Sequence, residues 1–491
     1  MSHSTRHKRR RSRSNDRFDT QMIANGVLLI LFALLAGIAS YTMYAHNILA
    51  FRHVNVIYTA VLVVVFLVCL LLTLFKKGKH LVTVLLVLFS IVVGVSLFAF
   101  KSLVDVADNI NKTASYSEIE MKVVVPANSS ISDVSELTNV QAPTSADESN
   151  INALIANIKS EKGVELTVDP VDSYQSAYEN LINGSSQAMV LNSSYSSLLE
   201  LSYNDYESNL KTIYTYKIKK AIEDTAKTTD KNVFNIYISG IDTSGAVSTV
   251  SRSDVNLILT VNMNTHKILI TTTPRDSYVR IPDGGADQYD KLTHAGIYGI
   301  ETSVKTLENL YDIPINYYAR LNFTSFVKLI NALGGVTVYN DQAFTSLYGN
   351  YNFGVGNINL TSGEEALGFV RERYSLEHGD YDRGNNQLKV IQAIVEKLTS
   401  FQSVSNYSDV ISTLQDSIQT NMPLNTMMSL VNEQLDSGKT FIFSSQEVTG
   451  TGSTGQLTSY AMPNASLYMI QLDDASVAKA SQAIKNVMEG K

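Results

Sequence analysis

Beyond residue 100 the chain carries seven arginines, and all of them fall in one stretch: Arg252, Arg275, Arg280, Arg320, Arg371, Arg373 and Arg383. Residues 102–251 contain none, nor do residues 384–491, although lysines are spread through both. A guanidinium is a planar, permanently charged fork that grips phosphate oxygens two at a time, whereas an ammonium is a point charge. This skew predicts a local site for a phosphate-like oxyanion.

Carboxylates lie close to these arginines. Asp242 stands in Ser239-Gly240-Ile241-Asp242-Thr243-Ser244-Gly245, Asp254 in Ser251-Arg252-Ser253-Asp254, and Asp276 follows Thr273-Pro274-Arg275. Asp242 and Asp254 offer the hard oxygen ligands that Mg²⁺ takes alongside water and phosphate; Mn²⁺ accepts the same oxygens. Read singly, Asp254 is equally well explained as a turn cap and Asp242 as a residue of a solvent loop, and the arginines beside them favour the site. Arg371 and Arg373 are two apart in Phe369-Val370-Arg371-Glu372-Arg373-Tyr374, so they point the same way only where the chain is extended or leaving a helix. They could instead pair with Glu364, Glu365 or Glu372 on a solvated face. Asp380, Arg383 and Gln387 fall at the start of a predicted helix, where Arg383 and Gln387 share a face and the helix end favours anions.

Other chemistries are poorly supplied. No His/Cys cluster suits zinc. His266, His294 and His378 have neither a serine in a Gly-x-Ser-x-Gly elbow nor a reactive cysteine to serve, which argues against nucleophilic hydrolysis.

The elements that must position these residues alternate. Val233–Ile241, Val255–Met263 and Lys267–Thr273 read as strands, the last two joined by a hairpin at Asn264-Thr265-His266. Ala295–Leu310 reads as a helix, Tyr317–Leu321 as a strand, Ser325–Leu333 as a helix stopped by Gly334-Gly335, and Val336–Tyr339 as a strand. Ser362–Arg371, Asn385–Ser400, 404–418, 423–436 and Ala475–Met488 read as helices, with a late strand at Phe441–Phe443. The expected fold is an α/β sandwich with a mixed central sheet, its charged strand ends gathered on one sheet edge. Residues 118–229 read as a smaller α/β accessory unit: strands at Met121–Val125, Val164–Val168 and Gln187–Leu191, helices at Ser149–Lys159 and Tyr174–Ile182, and no catalytic constellation. The expected domains are therefore 118–229 and 230–491, joined by the polar run Thr225–Lys231.

Three apolar stretches precede them, Met22–Tyr44, Val54–Phe75 and Leu81–Phe100. Each has about 20 residues, enough to cross a bilayer core of roughly 30 Å, and 101–117 continues the third as a polar helical connector. The leader carries Arg6, Lys8, Arg9, Arg10, Arg11, Arg13 and Arg17, the second loop Lys76, Lys77 and Lys79, and the first loop only Arg52. Positive loops stay in the cytoplasm, so the leader is expected inside and everything after Phe100 outside. Residues 1–111 hold 12 basic and 4 acidic residues, leaving 27 basic and 42 acidic residues of the chain's 39 and 46 for 112–491. An exterior with a net charge of −15 is a poor polyanion binder, which argues against nucleic acid as a partner. The one cysteine, Cys69, lies in the second apolar stretch, so the exterior relies on its core and not on disulfides.

The blocks GIDTSG, SRSDVNLILTVN, KILITTTPRDSYV, KLTHAGIYG and FVRERYSLEHGDYDRGNNQLKVIQAI, in that order, resemble the LytR-CpsA-Psr family. The three-span N-terminus and accessory unit are similar to its streptococcal capsule-type members. The resemblance implies a magnesium-dependent phosphotransferase at the plasma membrane of a Gram-positive bacterium. Such an enzyme takes a glycopolymer, here capsular polysaccharide, from a polyprenyl-pyrophosphate carrier and joins it to peptidoglycan by a phosphodiester link. It further implies that Asp242 and Asp254 hold the metal, that Arg252, Arg275, Arg371, Arg373, Arg383 and Gln387 surround the pyrophosphate, and that Asp380 orients Arg383 or a neighbouring arginine. Many members have arginine two residues after the first aspartate, where this chain has Ser244. Asp242, Asp254 and a water held by the metal are all candidates for the general base. Two other readings stand beside this one: a regulator or scaffold of capsule synthesis, with other capsule-synthesis proteins as partners and Arg6–Arg17 as its cytoplasmic contact, and a polyprenyl-pyrophosphate phosphatase. Arg280 and Arg320, outside the motifs, are expected at the surface or rim.

Overall fold

The computed structural model describes residues 20–203, 205–222, 232–241, 247–399 and 418–491, apart from the side chains of Asp380, Leu398 and Thr399. It forms two compact units, Met1–Val104 and Asp105–Lys491.

The first unit holds three apolar helices: α1 (Thr20–Ala45), α2 (Val54–Leu74) and most of α3 (Lys79–Ala114). All three are long and apolar enough to cross a membrane. Their outward positions are apolar too, among them Ile30, Val64 and Leu88, as befits helices whose solvent is lipid. Phe32, Met43, Leu62, Cys69, Leu86 and Val93 pack between them. One polar latch joins α1 to α3: Asn25 Nδ2 donates to the Lys79 carbonyl at 3.0 Å, and Asn25 Oδ1 accepts from the Thr83 hydroxyl at 2.7 Å, a bond type that holds helices together in lipid.

Among the described residues the second unit contains two large sheets and four two-stranded ones. Strands β1 (Tyr116–Pro126), β2 (Asn139–Ala142), β3 (Thr167–Pro170), β4 (Met189–Asn192) and β5 (Leu210–Ala221) form the first, in the order β3-β2-β4-β1-β5. Helices α4 (Thr144–Lys162), α5 (Tyr174–Ile182) and α6 (Ser196–Ser202) connect them. Successive residues of a strand face opposite ways: Met121 and Val123 of β1 meet Ile151, Leu154 and Ile158 of α4, whereas Val124 meets Ala177, Tyr178 and Leu181 of α5. The strand predicted at Val164–Val168 lies later, at Thr167–Pro170, because Leu166 is spent as a buried core contact ahead of it. The strand β5 went unpredicted: its lysines mask the alternation on an edge strand, where such charges prevent further pairing.

The second sheet has six strands in the order β16-β11-β6-β7-β8-β17. Here β6 (Val233–Ile241), β7 (Ser253–Asn262) and β8 (Lys267–Thr272) form an antiparallel meander. After β8 come the hairpin β9 (Tyr278–Ile281) and β10 (Gln288–Lys291), then helices α7 (Leu292–Ala295) and α8 (Ile300–Tyr311). Strand β11 (Tyr317–Asn322) runs parallel to β6 and leads into α9 (Phe323–Ala332). Short pairs follow, β12 (Val336–Asn340) with β15 (Gly356–Leu360) and β13 (Phe344–Thr345) with β14 (Asn352–Phe353). Helices α10 (Gly363–Arg371) and α11 (Asp380–Thr399), strand β16 (Gln419–Thr420) and helix α12 (Leu424–Ser437) come next. Strand β17 (Ile442–Glu447) runs parallel to β8, and β18 (Gly450–Thr454), β19 (Tyr468–Leu472) and α13 (Asp474–Met488) complete the chain. One sheet face packs Tyr237, Ile258 and Leu269 on α8 and α13. The other packs Phe234, Leu257 and Ile270 on α11 and α12. The result is the expected α/β sandwich with a mixed sheet.

The helix predicted over Ala295–Leu310 is instead two helices broken between them. Gly299 has φ 117°, open to glycine but strained for other residues. Gly296 lies where a Cβ would meet the Ser251 carbonyl oxygen at 2.5 Å and the Ser253 nitrogen at 2.7 Å, so the break lets this segment press against the backbone on either side of Arg252. The helix predicted over 404–418 lies outside the described residues except for its last residue.

Arg320 is neither surface nor rim. It is 1% exposed, and its Nη2 donates to the Thr249 carbonyl at 2.8 Å. Burial lowers its pKa to about 10, which leaves it charged at neutral pH. It braces the segment that leads into Arg252. Arg280, by contrast, is exposed and donates to the Asp287 carbonyl within its own hairpin. Replacing Arg320 by methionine should destabilise the fold by roughly 2–4 kcal/mol, because the Thr249 carbonyl loses its donor in the interior. Arg280→Ala should stay within about 0.5 kcal/mol. Denaturant unfolding followed by circular dichroism checks both.

Candidate functional site

Strand directions bring five segment ends to one edge of the six-stranded sheet. The ends of β6, β8, β11 and β17 and the start of β7 all lie there, because β7 is antiparallel to β6 and β8 while β11 and β17 are parallel to β6 and β8 respectively. Arg252 immediately precedes β7, Asp254 is its second residue, and Arg275 follows β8. A bulge at Gly240/Ile241 shifts the register where β6 meets the start of β7. Any side chain at Gly240 would come within 2.7 Å of Val255 Cγ2, so only glycine admits this close pairing.

A cavity of about 370 Å³ opens at this edge. Arg252, Asp254, Arg275, Arg371, Arg373, Arg383 and Gln387 all line it. The structure thus brings together every described residue of the expected anion site. Asp242, and with it Ser244, lies outside the described residues, as does the side chain of Asp380. The same cavity is also lined by apolar side chains, among them Ile238, Val255, Leu321, Phe326, Val370 and Ile391. Leu201 of α6 also borders it, so the first sheet's connections contribute to the same cavity.

Each described charge is held in its own way. Asp254 Oδ2 accepts from Arg275 Nη1 at 2.6 Å and Oδ1 from the Thr293 hydroxyl at 3.0 Å. Burial alone would raise the Asp254 pKa, but Arg275, Arg252 and Arg383 together hold it below the usual carboxylate range. Asp276 lies 3.6 Å from Arg275 Nε and 2.5 Å from Lys291 Nζ. Arg371 ends α10, where the helix dipole favours a cation, with its guanidinium 4.4 Å from the ring centre of Phe323 and 5.1 Å from that of Tyr348. Arg373 stacks on Tyr374 at 4.5 Å. Neither pairs with Glu364, Glu365 or Glu372 among the described residues. Glu372 instead accepts four backbone N–H groups, those of Leu347, Arg373, Tyr374 and Ser375, at 2.6–3.0 Å. It leaves the helix in extended conformation, which turns Arg373 to the same side as Arg371. Gln387, one turn beyond Arg383 on α11, donates to the Val370 carbonyl at 3.3 Å and ties the two helices together.

The histidines do not assemble. His266 sits in the hairpin at the opposite end of β8, His378 is exposed beside Asp382, and His294 is fully buried with Nδ1 2.9 Å from Asp290. Among the described residues no three His, Cys, Asp or Glu side chains cluster as a metal site.

A model of the LytR_cpsA_psr family matches residues 200–476, more than half of the chain. The chain belongs to this family. The matched segment holds all seven of the arginines. A polyisoprenyl-teichoic acid–peptidoglycan teichoic acid transferase TagU from Enterococcus faecalis is 33% identical over 282 residues, covering 56% of this chain and 87% of the relative. Its counterpart in Oceanobacillus iheyensis is 34% identical over 232 residues, covering 46% and 69%. The crystal structure of B. subtilis TagV superposes with a TM-score of 0.46 at 23% identity, covering 53% of this chain and 99% of that one. A model described as DNA polymerase processivity factor also matches residues 76–191, a likeness that spans less than half the chain.

Several residues that shape this LytR-CpsA-Psr site were not singled out from sequence. Thr293 and Lys291 belong to the KLTHAGIYG block, whose use only becomes clear once α7 lies against β7. Phe323 and Tyr348 reach Arg371 from distant segments, and no local pattern announces them. Glu372 carried a signal, its place between two arginines, that reads more readily as an ion pair.

Two outcomes follow. Asp254→Asn removes the counter-charge from buried arginines and should cost roughly 3–5 kcal/mol. Because the folded pKa of Asp254 is depressed, this stability is present above the unfolded value near 3.9 and is lost as pH falls through the lower folded value. Thermal melts of wild type and variant should therefore stay apart from pH 7 to about 5 and converge below about 4. Glu372→Ala leaves four N–H groups without their acceptor and should destabilise by roughly 2–4 kcal/mol; amide hydrogen exchange should show the loosening confined to residues 345–375.

Proposed function

We propose that this protein transfers a glycopolymer from a polyprenyl-pyrophosphate carrier to peptidoglycan, and that the polymer is a capsular polysaccharide. One observation carries the reading: a single cavity is lined both by five guanidinium groups and by a set of apolar side chains. A lipid pyrophosphate has the same two-part chemistry. The transferase activity named for the relatives from Enterococcus faecalis and Oceanobacillus iheyensis supports the reaction class, and the three apolar helices and the accessory sheet support the capsule-type assignment. The helices anchor the protein, with the basic leader on the cytoplasmic side and the catalytic unit outside.

Phosphoryl transfer asks mainly for positioning and charge neutralisation. An acceptor hydroxyl attacks the phosphorus that carries the polymer, and the bond to the lipid phosphate breaks. Arg252, Arg275, Arg371, Arg373 and Arg383 line the one cavity, so charge developing on the leaving phosphate meets donors already in place. Phe323, Phe326 and Val370 bury the first isoprene units and exclude water.

Mg²⁺, or Mn²⁺ in its place, is the proposed cofactor. An oxygen-ligated ion completed by phosphate would draw on Asp254, the one carboxylate on the described wall, and on Asp242, which directly follows β6 in the sequence. Such an ion neutralises phosphate charge when bound.

Each charge-assisted contact is worth roughly 1.5–3 kcal/mol, so Arg275→Ala should lower transfer by about 10- to 100-fold. Arg371→Ala combined with Arg373→Ala should abolish detectable attachment. Wall-linked polymer is measured in cells, and transfer from a lipid-linked saccharide is measured with purified protein, with and without chelation of divalent cations. Normal wall polymer in the arginine variants would refute the site. Activity untouched by chelation would remove the metal. Release of free polymer in place of wall-linked polymer would identify a hydrolase.

A further inference from the structure

A second cavity, of about 440 Å³, adjoins the first. The two share Asp254, Arg275, Arg383 and Gln387 and otherwise have separate walls. The first lies over β11, β6 and the start of β7. The second lies over the ends of β8 and β17 and the hairpin of β18 and β19. In sheet order they fall on opposite sides of the start of β7.

Their chemistry differs as sharply. The second cavity is bordered by Thr272, Glu447, Thr449, His378, Tyr381 and Tyr468. Tyr381 is 51% exposed and Tyr468 46% exposed, and a tyrosine ring attracts the polarised C–H bonds of a sugar. The Thr272 hydroxyl is buried, on a residue 6% exposed, and has no hydrogen-bond partner among the described residues. Glu447 pairs in register with Thr272. Its Oε1 lies 3.5 Å from where a Cβ would stand on Gly384, directly after Arg383.

Resting on the transferase reading above, we propose that this second cavity is the subsite for the acceptor saccharide and that Glu447 is the general base. In-line displacement sets the arrangement. With the lipid phosphate leaving toward the apolar cavity, the nucleophile must approach from the opposite side of the shared arginines, through the second cavity. The acceptor hydroxyl loses its proton to the Glu447 carboxylate and its oxygen forms the new O–P bond. The O–P bond to the lipid phosphate breaks, and the departing phosphate keeps that electron pair among the guanidinium groups. No oxidant or reductant enters.

The test uses the full-length protein in lipid nanodiscs, a lipid-pyrophosphate-linked saccharide as donor, and a soluble N-acetylglucosaminyl–N-acetylmuramic acid disaccharide as acceptor probe. General bases contribute about 10²- to 10⁴-fold, so Glu447→Gln should lower kcat by at least about 100-fold, leave the donor KM unchanged, and abolish the acid limb of the pH–rate profile. Tyr381→Ala, an exposed position that leaves the fold intact, should raise the acceptor KM and weaken disaccharide binding by about 10-fold while sparing the donor. A wild-type kcat and pH profile in Glu447→Gln would remove it as base. A rise in donor KM alone in Tyr381→Ala would place the donor glycan in the cavity instead. Failure of the wild type to bind the disaccharide would overturn the subsite. Disaccharide binding that Tyr381→Ala weakens, without any transfer by the wild type, would overturn the transferase reading and keep the subsite.

Discussion

Five guanidinium groups cannot share one cavity unless each is held against the repulsion of the others. The Asp254–Arg275 pair is the centre of that restraint. Asp254 lies in the field of Arg275, Arg252 and Arg383 at once, and a half-buried carboxylate there lowers the energy of all three. Arg371 and Arg373 are restrained by different means, aromatic faces and a helix end, which neutralise no charge. The cavity therefore keeps a net positive potential while its side chains remain ordered. Removing water from such a site strengthens every contact an anion makes in it.

The sheet was legible because its strands are apolar and tightly spaced. Val233–Ile241, Lys267–Thr273 and Tyr317–Leu321 match the observed strands to within one residue, and the charged residues at their ends point to one edge as a matter of strand direction. The i, i+4 relation of Arg383 and Gln387 was likewise a local property of one helix. What sequence could not give were the long-range contacts. Arg320 sits in a strand whose neighbours bury it completely, and nothing within a few residues signals that the Thr249 carbonyl will accept its hydrogen bond. Glu447 closes a strand that reads as short and unremarkable, and its relation to Arg383 exists only because β17 lies beside β8. The broken helix near Gly296 is a case of tertiary packing overriding a helical pattern.

The accessory sheet is more than an attachment. Tyr174, Tyr178 and Leu181 of α5 share one apolar cluster with Ile297, Met462, Leu467 and Met469, so the first sheet's helix and the segment leading into β19 are packed as one body. Asp147 anchors this face: it is half-buried, accepts from Tyr174, Asn192 and Asn150, and its pKa is raised chiefly by desolvation. A carboxylate held by three neutral donors joins α4, α5 and the end of β4.

The start of β7 separates a chamber with apolar and guanidinium lining from a hydroxyl-rich one, and the two have four wall residues in common. Substitutions in α9 or α10 can therefore reshape the space for a hydrocarbon chain without disturbing the chamber under the β18–β19 hairpin, and the reverse holds for the hairpin. Only the four residues of the partition see both. A scaffold divided in this way can exchange one partner molecule for another by local changes while the charged partition stays as it is.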